Sequence, residues 1–141
     1  MVPGRCKFSL DLRAPNDAQR DALANDVVKA LQDICERRGV RHTLEETMRA
    51  SAAPSAPEWQ QRWERAVDSL GVPLFRMPSG AGHDAMKLHE VMPQAMLFVR
   101  GQNAGISHNP RESTTSDDIQ LAAFAMQRLL DDLANDSSHS K

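Results

Sequence analysis

The sequence predicts an α/β fold, because strand-like and helix-like patterns alternate along the chain. Residues 6–13 alternate apolar and polar side chains, which is the period of a half-buried strand. The next segment, up to Gly39, spaces its apolar side chains as a helix does. The unbroken apolar run 95–99, bounded by Pro93 and Gly101, is typical of a strand that is buried on both faces. Such alternation predicts helices packed on a sheet.

The first fifty residues are predicted to form a β-α-β unit. The first strand, 6–13, places Arg13 on its polar face at the strand's end. A turn at 14–17 then offers an N-cap, and the helix that follows has about six turns at roughly 3.6 residues each. Gly39 ends that helix, since glycine is favoured directly after a helix. Residues 40–48 return to alternation and are predicted to form the second strand.

A change of composition at 50–57 predicts a domain boundary, because small residues and prolines disfavour regular structure there. The predicted domains are therefore 1–50 and 51–135, with a disordered tail at 136–141. Within the second domain we predict helices at 57–70, 86–91 and from 115 onward, and strands at 72–75 and 95–99. Two strands are too few for a self-sufficient sheet, so part of this domain is expected to be missing upstream.

Charge and hydropathy exclude two classes of partner. The 17 basic and 19 acidic residues give a formal net charge of -2 without long runs of one sign, which argues against nucleic acid and anionic membranes. No apolar run approaches the roughly 20 residues of a membrane span, and the first residues do not resemble a signal peptide. We therefore expect a soluble cytoplasmic protein that acts on a small molecule or a protein. Cys6 and Cys35 lack any metal or disulfide spacing, so buried thiols are expected.

The loop 105–112 could carry a metal ligand. It begins shortly after the apolar run 95–99, and ligands bind at the carboxyl ends of strands in open α/β sheets. His108 in this loop could offer a ring nitrogen to a metal ion. From spacing alone, a histidine that is simply hydrogen-bonded within the loop is favoured over a metal ligand, since a metal site needs three or four ligands.

The loop 79–84 places small residues before a helix start, where free backbone N–H groups can hold an anion or an oxyanion. The alternative is an ordinary flexible turn in which His83 and Asp84 are caps. An acid/base pair of these two residues is disfavoured, because adjacent side chains rarely point at the same atom. Arg13 could bind a carboxylate through its guanidinium fork, although an arginine at a strand end is more often only solvated.

Three stretches together resemble the hydantoinase/carbamoylase amidases, which include allantoate amidohydrolases, N-carbamoyl-L-amino acid hydrolases and ureidopropionases. They are GRCKFSLDLR, MPSGAGHDAMKLHEVMPQAMLFVRGQNAGISHNPRESTT and DDIQLA. The family is related to the aminoacylase-type dinuclear metallopeptidases. The resemblance implies a metal-dependent catalytic domain interrupted by a smaller lid that supplies homodimer contacts. On that pattern, residues up to about Ala50 are the last β-α-β part of the lid, and the remainder ends the catalytic domain.

The resemblance also implies roles for single residues. His108 corresponds to the last metal ligand, Arg13 to the lid arginine that binds the substrate carboxylate, and Gly82 to a backbone contact with the substrate. His83 and Asp84 belong to the same motif, and His83 is included among the substrate-binding residues. The implied reaction uses two divalent ions, zinc or manganese, to activate a water that attacks a carbamoyl or ureido carbon.

The family's other metal ligands and its glutamate base have no counterpart in this chain, since no HxD or EE motif with suitable surroundings precedes Arg13. We therefore expect no catalytic residue here and no activity of the chain alone, whether it is a truncated gene, a split enzyme or a fragment. The sequence of the longest stretch is most similar to allantoate amidohydrolases, which favours allantoate as substrate. The alternative is an N-carbamoyl-L-amino acid hydrolase or a ureidopropionase. A second class of function is a non-catalytic assembly module that pairs with itself or with a complementing upstream fragment.

Overall fold

The computed structural model of the chain describes residues 3–138, and its regular structure is helical. The elements in chain order are α1 (Asp17–Arg38), α2 (Pro57–Asp68), α3 (Asp84–Leu88), a 3₁₀ turn (Asn103–Gly105) and α4 (Ser116–Ser138). The helix predicted before Gly39 is confirmed as α1. The predicted tail 136–141 begins inside α4, and residues 139–141 lie outside the described part of the chain.

The ends of α1 follow from its sequence. The side chain of Asn16 accepts a hydrogen bond from the Gln19 N–H at 2.9 Å, which satisfies one of the free donors of the first turn. Gly39 follows the last turn in the left-handed region, at φ 63°, where glycine has no steric penalty. This conformation lets the Val40 N–H donate to the Cys35 carbonyl at 2.9 Å and closes the helix.

The four predicted strands are wrong, and with them the β-α-β unit, since no residue from 3 to 138 is in a strand. The physical reason is that a strand is stabilised by hydrogen bonds to a neighbouring strand and by burial of one face. Neither is provided here: Phe8 is 72% exposed and Met48 81% exposed. Cys6, in the same segment, is also exposed, whereas Cys35 is buried as expected.

The chain divides into two compact units. The first contains the described residues up to Pro54 together with Pro78–Gly82, and the second contains Ser55–Met77 and the described residues from His83 onward. The predicted domain boundary after residue 50 concerns the domains of the family and stays a prediction. No helix in the described part of the chain is long and apolar enough to cross a membrane.

Arg20 joins the start of α1 to the segment near Ala50. Arg20 donates to Asp17 at 2.6 Å and to Asp21 at 2.8 Å, and it also donates to the backbone carbonyl of Ala50. The Ala52 N–H donates to the Asp17 carboxylate at 2.8 Å. Because both contacts lead to the start of α1, the segment after residue 48 is held there without a strand ladder.

Packing of α2 against α4 forms the core of the second unit. Its buried apolar side chains are Ala66 on α2 and Ala125 and Leu129 on α4. Small alanines allow two helices to approach closely, and Leu129 fills the space between them. The start of α2 is fixed separately, since the Ala56 N–H donates to the Gln94 carbonyl at 2.8 Å.

Ion pairs add a polar edge to the same helix pair. Arg62 donates to Asp132 at 2.8 Å and to Asp136 at 2.6 Å, and Arg65 donates to Asp132 at 2.9 Å. Asp132 therefore accepts from two arginines at once. The hydrogen bond from Arg65, followed by that from Arg62, lowers the pKa of this carboxyl group below its ordinary value.

We predict that Leu129→Ala destabilises the second unit by about 2 to 4 kcal/mol, because it removes a side chain that is only 5% exposed and leaves a cavity between the helices. The measurement is urea unfolding followed by circular dichroism. The matched control is Leu130→Ala, which removes the same atoms from a side chain that is 52% exposed and should cost about 0.5 kcal/mol or less. Equal losses for the two variants would contradict the α2–α4 core.

We also predict that the paired Asp132 makes the second unit acid-sensitive. A carboxyl group whose pKa is lowered on folding stabilises the fold above its unfolded pKa, and the stabilisation is lost as the pH falls through the folded pKa. Asp132→Asn should therefore reduce the loss of urea midpoint that wild type shows below about pH 4. In an Arg62→Gln/Arg65→Gln background the same change should have no effect, and a persisting effect would show that other groups cause it.

Candidate functional site

The predicted substrate-binding arginine lies in the first unit with both sides of its guanidinium group in contact. Nε of Arg13 lies 3.1 Å from Oδ1 and from Oδ2 of Asp11, and Nη2 lies 2.6 Å from Oδ2. Nη1 donates to the backbone carbonyl of Gly80. The hydrogen bond between the two side chains raises the pKa of Arg13 and lowers that of Asp11. The arginine is thus charged and held in one orientation.

The Gly80 contact explains why Pro78–Gly82 belongs to the first unit, although 67 residues separate the two partners in sequence. Within this loop the Ala81 N–H donates to the Ser79 hydroxyl at 3.3 Å. Gly82 is exposed, and a Cβ atom built on it would meet nothing within 4 Å. Packing within the protein therefore does not require glycine at position 82. The open backbone is accessible to a ligand.

His83 and Asp84 lie in the second unit, at the start of α3. His83 occupies the N-cap position, but its side chain makes no capping hydrogen bond, so the interpretation of this residue as a cap is not supported. Its Nδ1 atom is buried and has no hydrogen-bond partner among the described residues. Buried polar atoms are normally hydrogen-bonded, so this nitrogen is an exception among the described residues. Asp84 is exposed in the first turn of α3.

His108 lies on an exposed loop of the second unit in a strained backbone conformation. Its φ of 55° falls in the left-handed region, which non-glycine residues seldom adopt. The carboxylate of Glu112 accepts the His108 N–H at 2.8 Å and stabilises this conformation. The 3₁₀ turn just before it also has positive φ throughout, with values of 52°, 60° and 70° for Asn103, Ala104 and Gly105. Strain of this kind concentrates at functional sites.

Hydrogen bonds brace the whole loop at its base. The Gln102 N–H donates to the Ser113 carbonyl at 2.8 Å, and the Asn103 side chain donates to the Arg111 carbonyl at 2.7 Å. The Thr114 hydroxyl donates to the carbonyl of Arg100 at 2.6 Å. The imidazole of His108 is therefore presented from a firmly held backbone. The bracing residues, Asn103 and Glu112 above all, were missed by the sequence analysis; asparagine before glycine is a turn signal that could have indicated Asn103, whereas nothing in the sequence indicates Glu112.

The donor set does not complete a metal site. Among residues 3–138 no group of three or more His, Cys, Asp and Glu side chains is placed to hold a metal ion. His108 alone does not fit a centre of two ions, which needs several ligands for each. The predicted site residues are also divided between the units: Arg13 and Gly82 belong to the first, and His83 and His108 to the second.

A shallow depression of about 340 Å³ lies on the second unit. Its lining comes mostly from the exposed face of α2 and consists of Gln61, Glu64, Arg65, Asp68 and Leu74. None of the predicted site residues contributes to it. It is a surface feature of α2 and Leu74, separate from the motif residues described above.

Comparison with known proteins gives a consistent result. The family model for peptidase family M20/M25/M40 matches residues 8–132. The N-carbamoyl-L-amino acid amidohydrolase of Geobacillus stearothermophilus is 34% identical, over 95% of this chain and 32% of its own. The probable allantoate deiminase of Oryza sativa subsp. japonica is 32% identical, over 98% of this chain and 30% of its own. The allantoate amidohydrolase of Bacillus subtilis is 33% identical, over 95% of this chain and 32% of its own.

The chain thus spans about a third of the length of the curated relatives that it matches. The matched part includes both loops described above, with Gly82, His83 and His108, and the arginine segment of the first unit. No solved structure gives a significant match.

We predict that Gly82→Ala leaves the stability of the chain unchanged within about 0.5 kcal/mol, because the added methyl group meets no neighbour. Gly39→Ala is the matched control: it has the same chemical change at φ +63° and should lose about 1 kcal/mol. The measurement is the urea midpoint of both variants. A substantial loss for Gly82→Ala would mean that the fold itself requires this glycine.

Proposed function

Since the chain belongs to peptidase family M20/M25/M40, we propose that it is part of a metal-dependent amidohydrolase that cleaves the ureido C–N bond of allantoate. One observation carries this proposal. Relatives matched over nearly the whole chain at similar identity bear the names allantoate amidohydrolase, allantoate deiminase and N-carbamoyl-L-amino acid amidohydrolase. The named substrates share a ureido group and a carboxylate. An N-carbamoyl-L-amino acid or ureidopropionate is the alternative substrate.

We propose a separate role for each candidate residue toward such a substrate. Arg13 would bind the carboxylate, because its planar guanidinium group matches two carboxylate oxygens. The exposed backbone of Gly82 would approach the substrate without obstruction by a side chain. His83, which directly follows Gly82 in the chain, would contact the ureido group of the substrate.

His108 is the proposed contribution of this chain to metal binding. Members of the family typically use two metal ions, and zinc or manganese is our proposal here. The strained and braced backbone at His108 supports the role, because it presents the ring in one direction. No group of three or more possible ligands lies among residues 3–138, so the remaining ligands would have to come from outside them. We propose the same origin for the glutamate base.

We further propose that the active form contains additional polypeptide, as a complementing upstream part and as a homodimer. The support is the exposed apolar surface of the first unit, where Phe8, Leu10, Val40, Leu44 and Met48 are each more than half exposed. Exposed large apolar side chains in such number favour a surface that another polypeptide covers. The same observation favours the second candidate function, a non-catalytic assembly module.

The proposal predicts that the chain alone releases no ammonia from allantoate or N-carbamoyl-L-alanine in the presence of Zn²⁺ or Mn²⁺. A chimera that carries this chain in place of the matching third of the Bacillus subtilis allantoate amidohydrolase should release ammonia from allantoate. Within that chimera His108→Ala should lower the rate on the order of 100-fold or more, because a metal ligand is lost. Ammonia is measured by a coupled enzymatic assay.

The matched control is His42→Ala, which removes an exposed imidazole of the first unit and should leave the rate unchanged. Activity of the chain alone would disprove the need for further polypeptide. A chimera that is folded and dimeric but silent on both substrates would favour the assembly module.

A further inference from the structure

Helix α4 has two apolar sides, and only one of them is buried. The buried side carries Ala125 and Leu129 and packs against α2. The second side is a row of four residues that recur every three or four positions, which we call the outer stripe: Ile119, Ala123, Met126 and Leu130. All four are exposed. The packing of α2 therefore leaves a continuous apolar surface along α4.

The charges of α4 distinguish the outer stripe from the side of the helix that faces water. At about 100° per residue, three charged residues lie on the side of the helix away from the stripe: Asp117, Arg128 and Asp131. The exposed Phe124 lies among them. Ala122 and Gln127, which border the stripe, carry no charge. Because a helix of a globular protein keeps its charged side in water and buries its apolar sides, the stripe has the character of a contact surface.

The surface area of the chain indicates how large the covering polypeptide must be. The chain exposes 11910 Å², whereas a folded monomer of 15.6 kDa exposes roughly 7,300 Å². The expected area rises only to roughly 8,700 Å² when the two units are counted as separate domains. An ordinary dimer contact buries roughly 800 Å² on each partner and would leave most of the excess uncovered. The two thirds of the relatives' length that this chain does not span provide a partner of sufficient size.

We propose that the outer stripe of α4 is the surface through which the second unit binds the rest of the amidohydrolase polypeptide, and that the surface bound there is apolar. The inference rests on the proposed function, from which it takes the additional polypeptide. It adds the place of the contact in the second unit and its chemistry. In the complete enzyme α4 is then covered on two adjacent sides, and its charged side stays in water.

The test compares single cysteines in the chain alone and in the chimera with the Bacillus subtilis allantoate amidohydrolase. Met126→Cys places a thiol in the outer stripe, and Phe124→Cys is the matched control on the charged side of the same helix. The replaced side chains are 46% and 50% exposed, so both thiols should react with a maleimide at similar rates in the chain alone. In the chimera Met126→Cys should react at least about tenfold more slowly, whereas Phe124→Cys should keep its rate.

Mass spectrometry of the labelled peptides separates each new thiol from Cys6 and Cys35. Ile119→Cys provides a second position in the stripe and should be protected in the same way. It keeps the test valid if the Met126→Cys chimera fails to fold.

Ammonia release by the unsubstituted chimera separates this inference from the proposed function. If the chimera is active and the stripe thiols react there as fast as in the chain alone, the inference is disproved and the proposed function stands. If the stripe thiols are protected but neither allantoate nor N-carbamoyl-L-alanine is hydrolysed, the contact surface stands and the proposed substrates are wrong. Protection that appears in the chain alone as its concentration rises would assign the stripe to a second copy and overturn the inference.

Discussion

A stable backbone segment must have its N–H and C=O groups hydrogen-bonded, and in the described part of this chain helices meet that requirement from within. Each helix closes its own hydrogen bonds and needs help only at its ends. Asn16 and Gly39 provide that help for α1, and the Thr115 hydroxyl accepts the Asp118 N–H at 3.0 Å at the start of α4. Extended segments cannot form such hydrogen bonds within themselves. They are held instead at single points by side chains, and the rest of the architecture depends on where those points lie.

Arginines provide two of these contacts, and they also join two helices. Arg20 holds the segment near Ala50 at the start of α1, Arg13 holds the loop at Gly80, and Arg62 and Arg65 join α2 to α4. A guanidinium group suits this task because its donors reach several acceptors in one plane, including backbone carbonyls. The apolar core is small by comparison. Guanidinium contacts of this kind therefore join the two helices of the second unit and, in the first unit, hold the arginine that we propose to bind a carboxylate.

The sequence predicted the helices well and the strands wrongly, for one physical reason. Helix ends are specified by local sequence, by Asn16 and Gly39 for α1 and by Pro57 at the start of α2. The alternation of apolar and polar residues in 6–13 indicates which side chains a sheet would bury, but it does not indicate whether a partner strand is present. For the candidate site, the resemblance pointed to Arg13, Gly82, His83 and His108, and those roles stay predictions. The contacts of Asp11 and Glu112 depend on how the backbone bends, which spacing alone does not reveal.

The pairing of α2 with α4 also has a consequence for the order in which the chain folds. About sixty residues separate Ala66 from its partners Ala125 and Leu129, so this contact closes a long loop. During synthesis α2 leaves the ribosome well before α4, and the side of α2 that carries Ala66 stays exposed until residues near 129 have followed. The second unit can therefore be completed only after α4 has been synthesised. Until then α2 has to be kept from non-native contacts.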